Sequence, residues 1–254
     1  MKARNQKSKI YILPSLFTTV NLLAGFYAII AVMDGKFMEA SLAILVAGLF
    51  DCLDGRVARM TGTCSQFGVE YDSLCDLVSF GLAPALLAQQ WALLPFGRFG
   101  WLAAFLYAAT TALRLARFNT QDSDGCSKEF TGLPCPAAAF MVATTFMFCS
   151  FFAYSGALKD LGILMLIYIL SYLMVSSIGY QSFKRPETLM AKTFQGLVAM
   201  VLLIMVLATE PQVTLFCMAL IYLLSGPFGG LYRLFFKNGK QLADEKNSYT
   251  ENLK

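Results

Sequence analysis

The sequence predicts an all-α, polytopic membrane helix bundle of about eight transmembrane helices, and three observations lead there. The first is apolarity: 57% of the 254 residues are hydrophobic, 14% are charged, and the mean hydropathy is +0.59. Soluble domains carry about a quarter charged residues. The second is the clustering of those charges. Charge-free runs cover 10–33, 77–97, 131–158, 161–183 and 211–232, each near or above the roughly 20 residues that cross a bilayer core. The third is sidedness. With spans near 12–32, 38–59, 71–93, 99–118, 134–154, 160–180, 192–208 and 212–231, all but Lys36, Arg98 and Lys159 of the 20 basic residues fall on one side. The positive-inside rule makes that side cytoplasmic, with both termini on it, in a cell (inner) membrane.

Residues 1–11 read as a basic cytoplasmic segment, 12–231 as a single transmembrane domain, and 232–254 as a polar cytoplasmic tail. Pro14 suits the start of the first helix. That run has no small-residue cleavage site and further spans follow it, so it reads as an anchor. Thr18, Asn21 and Gly25 share one of its faces at helical spacing. Polar residues there face other helices or line a site, and both readings stay open.

A short outer turn at Asp34-Gly35-Lys36 leads into the second helix, which returns to the cytoplasm. Asp51 lies about nine residues before its end, or ~13 Å deep at a rise of 1.5 Å per residue. Gly48, Gly55 and Ala58 admit either a ligand or a neighbouring helix to the backbone. The hydroxyl-rich loop 60–67 follows; Arg59 at its start suits a phosphate, to which Ser65 or Thr63 can add a hydroxyl.

The third helix carries Ser79, Phe80, Gly81 and Pro84, which predict a kink. The fourth ends in RLARFN, with Arg114 and Arg117 on one face about a turn inside the membrane boundary. Arginines at that depth are costly unless they meet anions, from lipid headgroups or from a substrate. GLPCP at 132–136 reads as a structured turn at the mouth of a site. The last four spans carry almost nothing ionisable and read as scaffold and dimer surface. Of seven cysteines, Cys52, Cys75, Cys149 and Cys217 read as small core residues, and Cys64, Cys126 and Cys135 face a reducing compartment. There is no internal repeat and no glycine-rich nucleotide loop, and no nucleic-acid partner is expected.

The chemistry lies in residues 51–76. Asp51 and Asp54 share a face of one helix, Asp72 and Asp76 a face of the next. If the two helices are antiparallel neighbours, all four carboxylates converge on one point. Two such charges 4 Å apart repel by roughly 4 kcal/mol at an effective dielectric of about 20, so the cluster calls for cations. Oxygen ligands with no histidine in the chain point to two Mg2+ or Mn2+ ions rather than zinc. Metals beside an arginine at a membrane face suit phosphoryl transfer on a lipid. A base is then required, and Asp76, at the end of the cluster, is the candidate. A divalent-cation transporter is the alternative from another class; it would spread carboxylates through the membrane depth.

Asp51, Asp54, Gly55, Ala58, Arg59, Gly68, Asp72 and Asp76 complete the spacing D-x2-D-G-x2-A-R-x8-G-x3-D-x3-D. This resembles the signature of the CDP-alcohol phosphatidyltransferases. The flanking SFGLAP, RLARFN and FTGLPCP, with PSLFTTVN at the start, look like the membrane-type branch that makes phosphatidylserine; the likeness covers about 12 to 136. The resemblance implies a six-helix catalytic core, CDP-diacylglycerol and L-serine as substrates, CMP as leaving group, direct displacement, and a homodimer among membrane lipids. By motif matching, Asp51, Asp54, Asp72 and Asp76 would hold the metals and Asp76 would act as base. Asp54, Gly55, Ala58, Arg59, Ser65 and Gly68 would surround CDP-diacylglycerol, and Arg114, Arg117 and Asn119 would meet the acceptor. Ser15 stands where the branch more often has asparagine, and Cys135, beside the acceptor pocket, where it more often has serine. Another acceptor, such as glycerol 3-phosphate, remains the alternative within the family.

Overall fold

The computed structural model describes residues 2–61, 66–122, 132–154, 156–176, 201, 205 and 209–227; for 2–14, 58–61 and 121–122 it describes the backbone alone. All regular structure among these residues is helical. The helices are α1 (Lys2–Met33), α2 (Phe37–Thr61), α3 (Gln66–Phe96), α4 (Arg98–Asp122), α5 (Cys135–Phe151), α6 (Ala157–Val175) and α7 (Pro211–Pro227). Four segments are long and apolar enough to cross a membrane: Ser15–Met33, Gln66–Phe96, Arg98–Thr120 and Ala157–Val175. With the shorter apolar helices α5 and α7, the chain is a polytopic membrane bundle. α2 has the length, 25 residues, but Glu39 and the buried carboxylates lower its apolarity. The expected span near 192–208 lies outside the described residues except for Val201 and Met205, and the tail 232–254 lies wholly outside them.

α1 begins earlier than expected. Its helix runs from Lys2 through Pro14, so Pro14 lies within it rather than at its start. Lys, Arg, Gln and Ala in the first nine residues favour helix despite their polarity. Further along, Thr18, Asn21, Gly25, Ala28 and Val32 form one buried stripe, while Leu16, Leu23, Phe26 and Ile30 face outward. The stripe faces α2 and α3. A Cβ on Gly25 would overlap Ser79 of α3, so its missing side chain is what lets the two helices touch.

α2 lies antiparallel to α1 across a tight turn in which Gly35 adopts φ 74°, a conformation open to glycine at little cost. Ala40, Ala43 and Ala47 bury against α1 and its neighbours. Gly48 serves packing: a Cβ there would lie 2.5 Å from the Phe140 ring of α5.

α3 is helical throughout but not uniform. Its first stretch, Gln66–Asp76, gives way to a π-helical turn at Leu77–Leu82 and a second at Gln89–Leu93. The expected kink is therefore a widened turn. Pro84 has no N–H to offer the carbonyl of Phe80, which favours local slippage of the hydrogen-bond ladder. Below the site, Phe80, Leu87, Ile167 and Leu170 fill the core without exposure.

The segment leading into α5 is pinned to the end of α6. The Leu133 N–H donates to the Leu173 carbonyl at 3.0 Å, satisfying one of the open carbonyls at a helix C-terminus. Gly132, at φ 85°, sits so close to the Met174 carbonyl that a Cβ would lie 2.6 Å from it. The turn expected at 132–136 is thus held rigidly where Cys135 starts α5.

Candidate active site

Antiparallel packing of α2 and α3 beside α1 brings the carboxylates together. Asp51, Asp72 and Asp76 each present an oxygen within 4.8 Å of the other two. Asp54 is not one of this trio. It lies beside it, 5% exposed, and accepts a 3.0 Å hydrogen bond from the Thr18 hydroxyl. Three of the four expected carboxylates thus meet at one point, and Asp54 lies alongside, tethered to α1. Asp54 shares a helix face with Asp51, one turn along, and the Thr18 hydroxyl of α1 meets it there.

Asp76 is buried at 7% exposure, and the Asn21 side-chain amide donates to its Oδ1 at 3.0 Å. Asn21 itself is held: the Ser79 hydroxyl donates to its backbone carbonyl at 3.0 Å. Of the two readings open for Thr18 and Asn21, lining the site is the one their hydrogen bonds favour. Their signal in the sequence was polarity on a face that a membrane helix buries.

The donor set suits a divalent cation. Three carboxylates at this spacing repel by roughly 3–4 kcal/mol per pair at an effective dielectric of about 20. Among the described residues no basic side chain forms an ion pair with any of them, and Asp72 Oδ1 is buried with no hydrogen-bond partner. All-oxygen ligation fits Mg2+ or Mn2+.

The other predicted residues are less concentrated. Gly55 follows Asp54 and is half-buried, and Gly68 is half-buried in the first turn of α3. The side chains of Ala58 and Arg59, and all of Ser65, lie outside the described residues. Arg114 and Arg117, expected on one face, are separated. Arg114 turns inward and donates to Cys135 Sγ at 3.2 Å, whereas Arg117 is exposed. Asn119 is committed elsewhere: its amide donates to Glu70 at 3.0 Å, and its oxygen accepts from Ser73 at 3.1 Å. It braces α4 against α3 on a face adjoining that of the carboxylates.

Cys135 is fully buried and accepts the Arg114 guanidinium at the start of α5. Tyr107 lies within an apolar run, where a tyrosine carries no distinguishing signal. Two of the expected core cysteines, Cys52 and Cys217, are exposed on outward helix faces; Cys75 is buried.

Comparison with known proteins agrees with this geometry. Residues 11–173 match the profile of a family described as CDP-alcohol phosphatidyltransferase. A CDP-diacylglycerol–serine O-phosphatidyltransferase of Helicobacter pylori is 36% identical over 178 residues, covering 70% of this chain and 75% of the relative. An archaetidylserine synthase of Methanothermobacter thermautotrophicus is 38% identical over 170 residues, 66% of this chain and 69% of the relative. A CDP-diacylglycerol–serine O-phosphatidyltransferase of Bacillus subtilis is 34% identical over 173 residues, 68% of this chain and 92% of the relative.

Proposed function

Because this chain belongs to the CDP-alcohol phosphatidyltransferase family, a family of membrane transferases, we propose that it moves the phosphatidyl group of CDP-diacylglycerol to the hydroxyl of L-serine. The products are phosphatidylserine and CMP. The observation that carries this is the gathering of Asp51, Asp72 and Asp76 within 4.8 Å, with Asp54 alongside. Serine as acceptor is supported by the relatives, since all three names specify a serine product or substrate.

Asp51, Asp54, Asp72 and Asp76 would hold two Mg2+ or Mn2+ ions, which when bound supply charge neutralisation for the pyrophosphate and its leaving phosphate. Asp76 takes the proton from the serine hydroxyl as the oxygen attacks phosphorus. The new bond joins serine oxygen to the phosphatidyl phosphorus; the bond that breaks releases CMP. Asn21 fixes the orientation of Asp76 from α1, so its free oxygen faces the acceptor. Arg59 and Ser65 meet the CDP phosphates, and Gly55, Ala58 and Gly68 leave room for the nucleotide against the helix backbones. Arg114, with Arg117 and Asn119 nearer the surface, lies toward the acceptor.

Residues 12–231 then act as one transmembrane catalytic domain in the inner membrane, working as a homodimer. The basic segment 1–11, the tail 232–254 and the site face the cytoplasm, in keeping with the sidedness of the basic residues. A cation pathway is disfavoured because the carboxylates cluster instead of lining a route across the bilayer. Purified protein supplied with CDP-diacylglycerol and a panel of alcohols tests the assignment: CMP release with serine is expected. Release with glycerol 3-phosphate alone would replace serine as acceptor, and metal uptake into vesicles without CMP formation would remove the enzymatic reading.

A further inference from the structure

Among the described residues, seven buried side-chain polar atoms have no hydrogen-bond partner. Four belong to one neighbourhood: Asp72 Oδ1, Asn21 Oδ1, Tyr107 Oη and Arg114 Nε. All four lie on helices packed around Asp76 and the turn that follows it. Asp72 joins it in the carboxylate trio, and Asn21 donates to it. Arg114 donates to Cys135, and it shares with Tyr107 the α4 face of Thr111, which lies 3.3 Å from where a Cβ on Gly81 would stand, in the turn that follows Asp76. Asn21 and Tyr107 are both 0% exposed. A membrane protein that leaves several polar groups buried and unpaired at one place loses stability there, at about 1–3 kcal/mol for each group. Such groups have a use when a ligand completes their bonds.

Asp72 belongs to the metal set; the other three form a pattern of their own. Arg114 offers a cationic N–H. The Tyr107 hydroxyl offers a second donor. Asn21 offers an acceptor, because an ionised Asp76 only accepts and therefore requires the amide nitrogen on its side. Cation, donor and acceptor beside a base match the carboxylate, ammonium and hydroxyl of a zwitterionic hydroxy amino acid. A phosphorylated polyol would find a single arginine and a carbonyl oxygen that repels it.

We infer that Asn21, Tyr107 and Arg114 are the acceptor-recognition residues, Arg114 and Tyr107 pairing with the acceptor's carboxylate and Asn21 Oδ1 receiving its ammonium. This rests on the phosphatidyltransferase reading and names how that site selects its alcohol. Cys135 orients Arg114: a thiol is a weak acceptor, so its contact with the guanidinium is readily exchanged for a substrate carboxylate. The selectivity follows from the same asymmetry that lets polar sites reject analogues lacking the matching group.

The test uses Tyr107→Phe and Arg114→Lys in the full-length protein. Because the Tyr107 hydroxyl has no partner among the described residues, its removal leaves thermal stability unchanged or raised, which a structural role would not do. The expected result is a KM for serine raised several-fold by Tyr107→Phe. Loss of a charge-assisted pair in Arg114→Lys raises it about 10- to 100-fold. In both, KM for CDP-diacylglycerol stays within twofold, and the preference for serine over ethanolamine, which lacks the carboxylate, shrinks. Unchanged serine KM and unchanged preference in Tyr107→Phe and Arg114→Lys would overturn the inference while wild-type turnover of serine left the assigned reaction standing. A wild-type enzyme that ignores serine would overturn both.

Discussion

Asn21 and Asp76 lie 55 residues apart in the chain, yet the amide of one donates to the carboxylate of the other at 3.0 Å. The bond ties the first helix to the acidic trio contributed by the next two. It makes α1 part of the site and not only its wall. Asn21→Ala is expected to lower kcat about 10- to 100-fold, the range for losing a hydrogen bond to a charged group. KM for CDP-diacylglycerol should change little. Steady-state CMP release with each substrate varied in turn measures the split.

Asp76→Asn keeps the shape of the side chain and removes its ability to take a proton. Turnover should fall by about 10²- to 10⁴-fold, the range for general-base catalysis. Residual activity near wild type, with the protein folded by thermal unfolding, would take Asp76 out of that role.

Thr18 holds Asp54 as Asn21 holds Asp76. Thr18→Ser keeps the hydroxyl and should leave metal activation near wild type. Thr18→Val removes the donor from a 5% exposed carboxylate and should raise the Mg2+ concentration for half-maximal activity several-fold. Titrating Mg2+ into metal-stripped protein and following CMP release compares the two.

Chelation is expected to abolish turnover, and Mg2+ or Mn2+ to restore it. Binding should also be visible without activity. A metal at ~100 times its Kd stabilises the folded state by about 2.7 kcal/mol, which raises Tm. Asp51→Asn and Asp72→Asn should flatten that rise in a thermal-shift titration.

Gly25 meets Ser79 where α1 crosses α3. Gly25→Ala forces the helices apart and should cost about 1–3 kcal/mol, the usual range for overpacking. Tm should fall, and activity with it, since the same displacement draws Asn21 away from Asp76.

Much of the bundle was legible because hydropathy marks what a bilayer tolerates. Expected spans of 38–59 and 99–118 correspond to helices Phe37–Thr61 and Arg98–Asp122. The acidic motif was legible as spacing: i, i+3 and i, i+4 pairs on adjacent antiparallel helices can face each other with little further information. Other features depend on packing that spacing does not encode. Asp54 shares a face with Asp51 but is also bound by Thr18, a partner 36 residues away. Arg114 and Arg117 share a face by periodicity, but only Arg114 has Cys135 in front of it. Tyr107 belongs to an apolar run, and its significance comes from a missing partner.

The widened turn at Leu77–Leu82 begins one residue after Asp76. A regular helix would fix the angular phase of its two ends with respect to each other. Here the ladder slips, so the acidic end of α3 is aimed independently of the half that reaches the opposite leaflet. Substitutions that re-seat the outer half against α6 can be absorbed at that joint. Excising a single residue between Leu77 and Leu82 would swing one half by about 100° against the other, the angle one residue subtends in an α-helix.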